Sequence, residues 1–385
     1  MEVKQIYSLV NDITGELTGK TDLLKEDLTN IVDVGTEIFG SSSVDNYVKS
    51  LVNRIGKTVF VNRKYRGKVP SVVMDAWEFG SVMQKIDSDL PNATENESWE
   101  LENGASYDTN VFYKPTVSAK FYNSKITFEI PMSFTERQVK ESFNTASELN
   151  AFISMLYNSV EKSMTLKTDS LVMRTINNMI AQTKDGDATG TRAINLLSAY
   201  NTAFGLTGAN ALTVAKAMTS KDFLRFASLQ IALYADRIGT MSTLFNAGGK
   251  ERFTPREDLH IVLLSDFANG AKTYLYSDTF NDEFVKLPNA EIVPYWQGSG
   301  TTFAFDKVSK IDTTIMVSGS KKDVSVTGVL GVMFDRDALG VSNLDRRVTT
   351  NYNPKAEFFT NWYKFDCGYF NDLNENFIVF YIADN

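Results

Sequence analysis

The chain has 385 residues, of which 43% are hydrophobic and 22% charged, a balance typical of a globular protein with two or three lobes. The net charge of −8 excludes a protein that grips nucleic acid over its whole surface, and one cysteine, Cys367, excludes intrachain disulfides and cysteine-based metal sites. The start of the chain has no basic-then-apolar signal pattern, and no run of 18 apolar residues occurs, so we expect synthesis in the cytoplasm and no membrane-spanning helix.

Residues 1–62 are polar and helix-prone, with short apolar clusters. We interpret them as an extended or loosely helical arm; the alternative is the first helical layer of a compact domain. The motif G-E-L-T-G-K-T at Gly15–Thr21 has three residues between its glycines where a P-loop has four, so nucleotide binding is not predicted. The basic run Lys57–Lys68 could touch phosphate or a neighbouring acidic tract, or be a solvated face.

Residues 63–135 carry the strongest strand signals. Two runs alternate with a period of two on either side of Asn123–Ser124, which predicts a half-buried hairpin. The alternating residues are Val117, Ala119 and Phe121 in the first run and Ile126, Phe128 and Ile130 in the second. The tract Asp87–Asp108 is rich in Asn, Glu and Ser and is expected to be an exposed loop.

A long helix is predicted for Thr145–Thr183, within the segment 136–190. Thr145 and Glu148 match a capping box, and apolar residues then recur at spacings near 3.6 as far as Ile180. At 1.5 Å per residue the helix would run roughly 55 Å and form the backbone of a domain. Its Met and aromatic stripe is interpreted as core.

The remaining chain predicts an α/β lobe followed by a strand-rich end, which makes the fold class α+β. The expected lobe elements are helices at Arg192–Ala203, Ser220–Asn246 and Asp266–Tyr276 and strands at His260–Leu264 and Glu291–Trp296. The expected later strands are Thr313–Val317, Val324–Phe334, Arg347–Tyr352, Ala356–Cys367 and Phe377–Ile382.

No residue is predicted to be catalytic, to bind a cofactor or to bind a metal. His260 is the only histidine and opens an apolar strand, so it is interpreted as structural. Asp335 and Asp337 could be a carboxylate pair for acid–base work, although a salt-bridged turn explains them better. The Asp185–Asp187 segment lacks the spacing and the bidentate Glu of a calcium loop, which favours a polar turn. Cys367 lies among aromatic residues and is interpreted as a buried small hydrophobe.

Two stretches resemble a known family. Val32–Val61 is similar to the N-terminal region of major capsid proteins of short-tailed phages, where a V-x-x-G segment precedes a helix ending in an L-V-x-R-I-G-type sequence. Gly331–Asn385, with G-V-M-F-D-R-D-A-L and then A-E-F-F-T-N-W-Y-K-F-D-C-G-Y-F, resembles the closing strands of the same family. The order of predicted elements is similar to the Hong Kong 97 capsid fold.

The resemblance implies an N-terminal arm at 1–62, an extended β-ribbon loop at 63–135, a peripheral domain with its spine helix at 136–190, an axial domain at 191–323, and return strands of the peripheral domain at 324–385. It implies a non-enzymatic subunit that self-assembles into an icosahedral or prolate head around double-stranded DNA. It also implies pentamers and hexamers of this chain, a separate scaffolding protein and a portal. It implies weak non-specific contact with DNA, and a virion whose subunits are made in the bacterial cytoplasm. No crosslinking Lys–Asn pair is carried over. An encapsulin-like compartment subunit and a carboxylate-based hydrolase are the alternatives.

Overall fold

A computed structural model describes residues 11–12, 30, 33, 69–74, 83–91, 93–96, 98, 100–114, 116–135, 137–138, 141, 146–276, 290–296, 310–317 and 319–384. The chain divides into two compact units. The first unit comprises Met1–Glu78, Lys125–Val172 and Val341–Gly368, and the second comprises Phe79–Ser124, Met173–Gly340 and Tyr369–Asn385. The predicted arm at 1–62, the P-loop-like motif and the basic run lie almost wholly outside the described residues.

Five α-helices lie in the described part of the chain: α1 Ala146–Gly186, α2 Leu196–Ala203, α3 Val214–Ala217, α4 Lys221–Arg237 and α5 Ser265–Tyr276. Helix α1 confirms the predicted long helix and its apolar stripe, since Val160, Met164, Leu171 and Ile176 are almost fully buried. Short 3₁₀ helices occur at Pro70–Val72 and Gly208–Asn210. None of the described helices is apolar enough over a sufficient length to cross a membrane.

The first unit is built on a four-stranded sheet in the order β1-β11-β12-β4. Its strands are β1 Val73–Met74, β4 Lys125–Thr135, β11 Leu339–Asn353 and β12 Phe358–Asn371. Strands β12 and β4 pair antiparallel over eleven residues, from Phe358↔Thr135 to Gly368↔Lys125. Alternate side chains of β12 are buried, as expected for a sheet with one covered face.

The second unit is built on a five-stranded sheet in the order β5-β13-β10-β6-β7. Its strands are β5 Ala193–Asn195, β6 Leu259–Leu264, β7 Ala290–Val293, β10 Val329–Asp335 and β13 Phe377–Tyr381. Every residue of β10 is buried, and helices α2 and α5 pack on the sheet. Strands predicted at His260–Leu264 and Phe377–Ile382 and the helix at Asp266–Tyr276 are confirmed.

Two antiparallel two-stranded ribbons complete the second unit. Strands β2 Met83–Ser88 and β3 Val117–Tyr122 form one, and β8 Lys310–Val317 and β9 Ser320–Thr327 form the other. The second ribbon packs one face on the end of α1, where Thr313 Oγ1 donates a hydrogen bond to Asn178 Oδ1 at 2.5 Å.

The hairpin predicted around Asn123–Ser124 is wrong. Strand β3 pairs with β2 and strand β4 pairs with β12, so the two alternating runs belong to different sheets. A two-residue hairpin turn of the favoured type needs positive φ at its central residues. Among the described residues other than glycine, only Glu357 has a positive φ, so the chain passes through Asn123–Ser124 without folding back.

The single strand predicted at Val324–Phe334 is also wrong, because Gly328 divides it into β9 and β10. Gly328 has φ +71°, a conformation that breaks an extended strand and is accessible to glycine. Its carbonyl accepts a 2.8 Å hydrogen bond from the Ile382 N–H. The two halves then enter different sheets.

Three element boundaries in the α/β lobe differ from prediction. Asn195 accepts a hydrogen bond from the Ser198 N–H and caps α2, so the three residues from Ala193 form a strand instead of a helical turn. Helix α4 ends at Arg237, just before Gly239, and not at Asn246. Strand β7 ends at Val293, three residues earlier than expected.

Candidate functional site

The carboxylates considered for catalysis close a turn after β10. Asp335 is buried, and its Oδ2 accepts a 2.8 Å hydrogen bond from Thr254 Oγ1 while its Oδ1 accepts a 2.9 Å bond from the Asp337 N–H. Burial raises the pKa of Asp335 above its ordinary value. Because both of its oxygens are used to hold the turn, the geometry supports a structural role for this pair.

The Asp185–Asp187 segment, predicted as a polar turn, is the C-terminal end of α1 and the first residue after it. Asp187 Oδ2 accepts 2.7 Å hydrogen bonds from the N–H groups of Arg192 and Ala193, and Asp185 forms an ion pair with Lys322. Burial alone would raise the pKa of Asp187, but these backbone donors and the Thr189 hydroxyl outweigh it and lower the pKa to about 2. Its oxygens face hydrogen-bond donors, which repel a cation. No group of three or more His, Cys, Asp or Glu in the described ranges could hold a metal ion.

The two other singled-out residues lie in the sheets. His260 is half-buried on β6, 5.8 Å from the Phe334 ring between centroids, and burial lowers its pKa. Cys367 is fully buried on β12, 3.7 Å from Asn343 Oδ1, which confirms the interpretation of a buried small hydrophobe. The structure does not bring His260 together with the Asp185–Asp187 turn or with Cys367 in any described contact.

In the ribbon β2–β3 the apolar face is exposed and the charged face is partly buried, which is the reverse of an ordinary surface ribbon. Side chains alternate between faces along a strand, and directly paired residues share a face. Ile86, Val117 and Phe121 lie on one face and are 67%, 59% and 63% exposed. On the other face Lys85 and Lys120 are half-buried. In the single chain the apolar face of this ribbon is therefore exposed and its charged face is partly covered.

An ion-pair network holds the charged face of the ribbon, and Asp372 is at its centre. The Asp372 side chain is 2% exposed and lies 2.8 Å from Lys120 Nζ and 3.1 Å from Lys85 Nζ. It also accepts a 3.0 Å hydrogen bond from the Asn374 N–H. Burial alone would raise the pKa of Asp372, but these donors and charges lower it to about 2. The carboxylate is therefore charged and fully engaged at neutral pH.

Further ion pairs tie the outer end of the ribbon. Arg252 pairs with Asp87, and its Nε lies 3.4 Å from Glu375 Oε1. Lys250 Nζ lies 2.5 Å from Asp89 Oδ1, with 29% of the lysine side chain and 42% of the aspartate side chain exposed. We call the network of Lys85, Lys120, Arg252, Asp87, Asp372 and Glu375 the ionic anchor. Because it engages both strands, it fixes the orientation of the ribbon on the second unit.

The tract beyond the ribbon, residues 89–116, is closed at its base by a 3.0 Å hydrogen bond from the Asp89 N–H to the Thr116 carbonyl. The described residues of this tract are exposed, as predicted from its polar composition. It nevertheless carries Phe112 and Tyr113, which are 84% and 85% exposed. No other large apolar side chain in the described part of the chain is as exposed. Exposed apolar surface of this extent marks an interaction site.

Sequence reasoning missed the ionic anchor. The alternation of Lys85 and Asp87 on β2 was a signal for a charged strand face, but Asp372 and Glu375 lie more than 280 residues further along the chain. Sequence spacing gives no sign that these groups meet.

Solved structures show the class of protein to which this fold belongs. A chain of the capsid of Staphylococcus phage Andhra matches with a TM-score of 0.52 and 11% identity, over 84% of this chain and 88% of that one. A chain in the structure of the head fiber and inner core protein gp22 of native bacteriophage P68 matches with a TM-score of 0.51 and 9% identity, over 84% and 86%. At such identities the likeness shows the fold alone, which is that of phage head structures. No curated protein matches the sequence significantly.

The family follows from the sequence itself. The model of the Phi29-like phage major capsid protein family matches residues 7–381, which is nearly the whole chain. The chain belongs to this family. The protein is a structural subunit of a phage capsid shell, it assembles with copies of itself, and it is part of the virion. The resemblance noted at Val32–Val61 and Gly331–Asn385 is confirmed.

Proposed function

We propose that this subunit builds its shell on the Hong Kong 97 plan. In this proposal the arm is 1–62, the extended loop falls within 63–135, and the spine helix of 136–190 is α1. The axial domain of 191–323 contributes β5, β6 and β7 to the five-stranded sheet. The closing segment 324–385, which the resemblance assigns to the peripheral domain alone, is divided in this proposal between both domains, since β10 and β13 pair within the five-stranded sheet and β11 and β12 within the four-stranded one. The element order and the two sheets support this assignment.

The exposed apolar side chains of the ribbon and of the tract beyond it are the observation that carries the proposal. Nine large apolar side chains on the ribbon and its tract are at least half exposed: Ile86, Leu90, Leu101, Tyr107, Val111, Phe112, Tyr113, Val117 and Phe121. If each offers on the order of 100 Å², they offer about 900 Å² per copy, close to the ~800 Å² that one partner contributes to a standard interface. A neighbouring subunit that covers this surface would repeat head to tail and close pentameric and hexameric rings.

The net charge and the structural role of Asp335 also fit a capsid subunit that encloses DNA. A net charge of −8 favours weak, non-specific contact with enclosed double-stranded DNA over tight binding. Assembly would use a separate scaffolding protein and a portal, with synthesis in the bacterial cytoplasm. The use of Asp335 and Asp337 in a turn supports a structural subunit without enzymatic activity.

Purified full-length protein, with scaffolding protein supplied, tests the proposal by sedimentation and negative-stain electron microscopy. We expect rings or closed shells of megadalton mass. The variant Phe121→Glu should lose them and stay folded, because its side chain is exposed and faces away from the ionic anchor. Met316→Glu, at a similarly exposed methionine on β8, is the control that should still assemble. A monodisperse monomer at high concentration for the unmodified chain would contradict the proposal.

A further inference from the structure

A groove lies within the second unit, between the end of strand β2 and the segment from Met241 to Phe253. It has a volume of about 450 Å³ and is open to solvent. Its apolar lining includes Leu90, Met241 and Phe253, which are 53%, 46% and 51% exposed. The Asp89–Lys250 ion pair lies at the same groove and offers a polar rim. Its lining therefore combines exposed apolar side chains with charged and polar ones, a mixture that is common in protein–protein contacts.

The exposed aromatic pair of the tract, Phe112 and Tyr113, is the second surface, and we call it the knob. They are 84% and 85% exposed, so in a single copy they lie outside the groove. Aromatic side chains that enter a pocket and lose their water are the usual anchors of interfaces. The chain assembles with copies of itself, and the apolar area of its ribbon and tract matches one side of a standard interface.

We propose that, in the shell, Phe112 and Tyr113 of one copy dock in the groove formed by Leu90, Met241 and Phe253 of the neighbouring copy. This inference rests on the proposed function and names the two surfaces that meet. Knob and groove are different patches of one chain, so the contact is heterologous and repeats from copy to copy. The ionic anchor holds the groove wall at Asp89 and Leu90 in place, because the charged face of the ribbon is fixed next to it.

Disulfide trapping tests the contact directly. Cys367 is fully buried, so engineered surface cysteines are the reactive ones. A disulfide requires Cβ atoms about 3.5–4.5 Å apart, so it reports contact and not proximity. Particles of Tyr113→Cys/Phe253→Cys, oxidised with oxidised glutathione, should give a ladder of covalent multimers on a non-reducing gel. Tyr113→Cys/Met316→Cys, with a cysteine of similar exposure on β8, should give none.

The possible outcomes separate the inference from the proposed function. Particles without a ladder would overturn the docking inference and leave the shell function standing. A disulfide confined to monomers would overturn it as well, because the knob would then fill its own groove. Failure of the unmodified chain to assemble would count against the proposed function itself.

A second measurement covers the case in which the cysteine variants do not assemble. Phe112→Ala and Phe253→Ala should each raise the protein concentration needed for assembly by at least about tenfold, as expected for interface anchors. If the two rings contact each other across the interface, the double variant should be little worse than the worse single variant. Effects that multiply would show independent sites and overturn the inference.

Discussion

Replacing Asp372 with Asn tests whether the ionic anchor fixes the ribbon. The substitution keeps the shape of the side chain and removes its charge. Lys85 and Lys120 then lose the carboxylate that lies 3.1 Å and 2.8 Å from their ammonium groups. The Asp372 side chain is 2% exposed, so water cannot take over its role without local opening.

The magnitude follows from the pKa of Asp372, which lies at about 2 against an ordinary value of 3.8. At 1.36 kcal/mol per unit, that difference corresponds to about 2 kcal/mol of stability at neutral pH. Removing one partner of a buried ion pair costs ~3–5 kcal/mol, but Lys120 is 40% exposed, so we expect a smaller cost of about 2–3 kcal/mol. For a unit of this size that lowers the Tm by roughly 5–10 °C.

The pH dependence has a definite sign. Because the pKa of Asp372 is lowered by folding, its contribution is fully present above the unfolded value near 4 and is lost as the pH falls towards 2. The difference between the variant and the unmodified protein should therefore shrink over this window. Thermal unfolding across the pH range measures it.

Hydrogen exchange of the amides in β2 and β3 tests the location of the effect, since loss of the anchor should speed exchange there before elsewhere. Asp89→Asn is the matched control, because its ion pair with Lys250 is 42% exposed on the aspartate side and should be worth less than about 1 kcal/mol. Asp372→Asn with an unchanged Tm and unchanged exchange in the ribbon would refute the role given to the anchor.

Three other changes have expected outcomes. Gly328→Ala should destabilise the protein by at least about 2 kcal/mol in urea unfolding, because φ is +71° and the added Cβ would meet the Ile382 carbonyl. Asp187→Ala should cost about 2 kcal/mol at pH 7, measured by urea midpoint, and progressively less as the pH falls from about 4 towards 2, where the unmodified carboxylate takes up a proton and loses its charge. Trp296→Ala should cost ~3–5 kcal/mol in thermal unfolding, because a fully buried ring is lost together with the hydrogen bond that its Nε1 donates to the Val329 carbonyl at 2.9 Å.

Elements whose pattern extends over many residues could be predicted from the sequence. The apolar spacing along α1 runs from Leu149 to Ile180, about nine helical turns, so local errors average out. Strands β6 and β13 are short, but their continuous apolar runs leave few alternatives. Element type is therefore a local property here.

Strand partnership could not be predicted in the same way. The alternation in β3 and β4 is real, and each run is a strand. Which strand lies beside each depends on β2 in one case and on β12, more than 200 residues away, in the other. Proximity in sequence favoured the pairing of β3 with β4, which is wrong. Neither Asn123 nor Ser124 has the positive φ of a tight turn, but residue type does not reveal this, since Asn is common in such turns.

The ribbon shows why alternation does not determine which face is covered. A period of two separates an apolar face from a charged one, and a free-standing domain buries the first. Here the charged face is held by Asp372 and Glu375, and the apolar face of Ile86 and Phe121 is outward. In one copy the charged face is held by ion pairs that are largely shielded from water. In the proposed shell a neighbour covers the apolar face, which adds the free energy of burying that surface. A subunit with this ribbon directs its apolar face away from its own core before it meets a neighbour. Ordered addition of identical copies requires an apolar face that is exposed in this way.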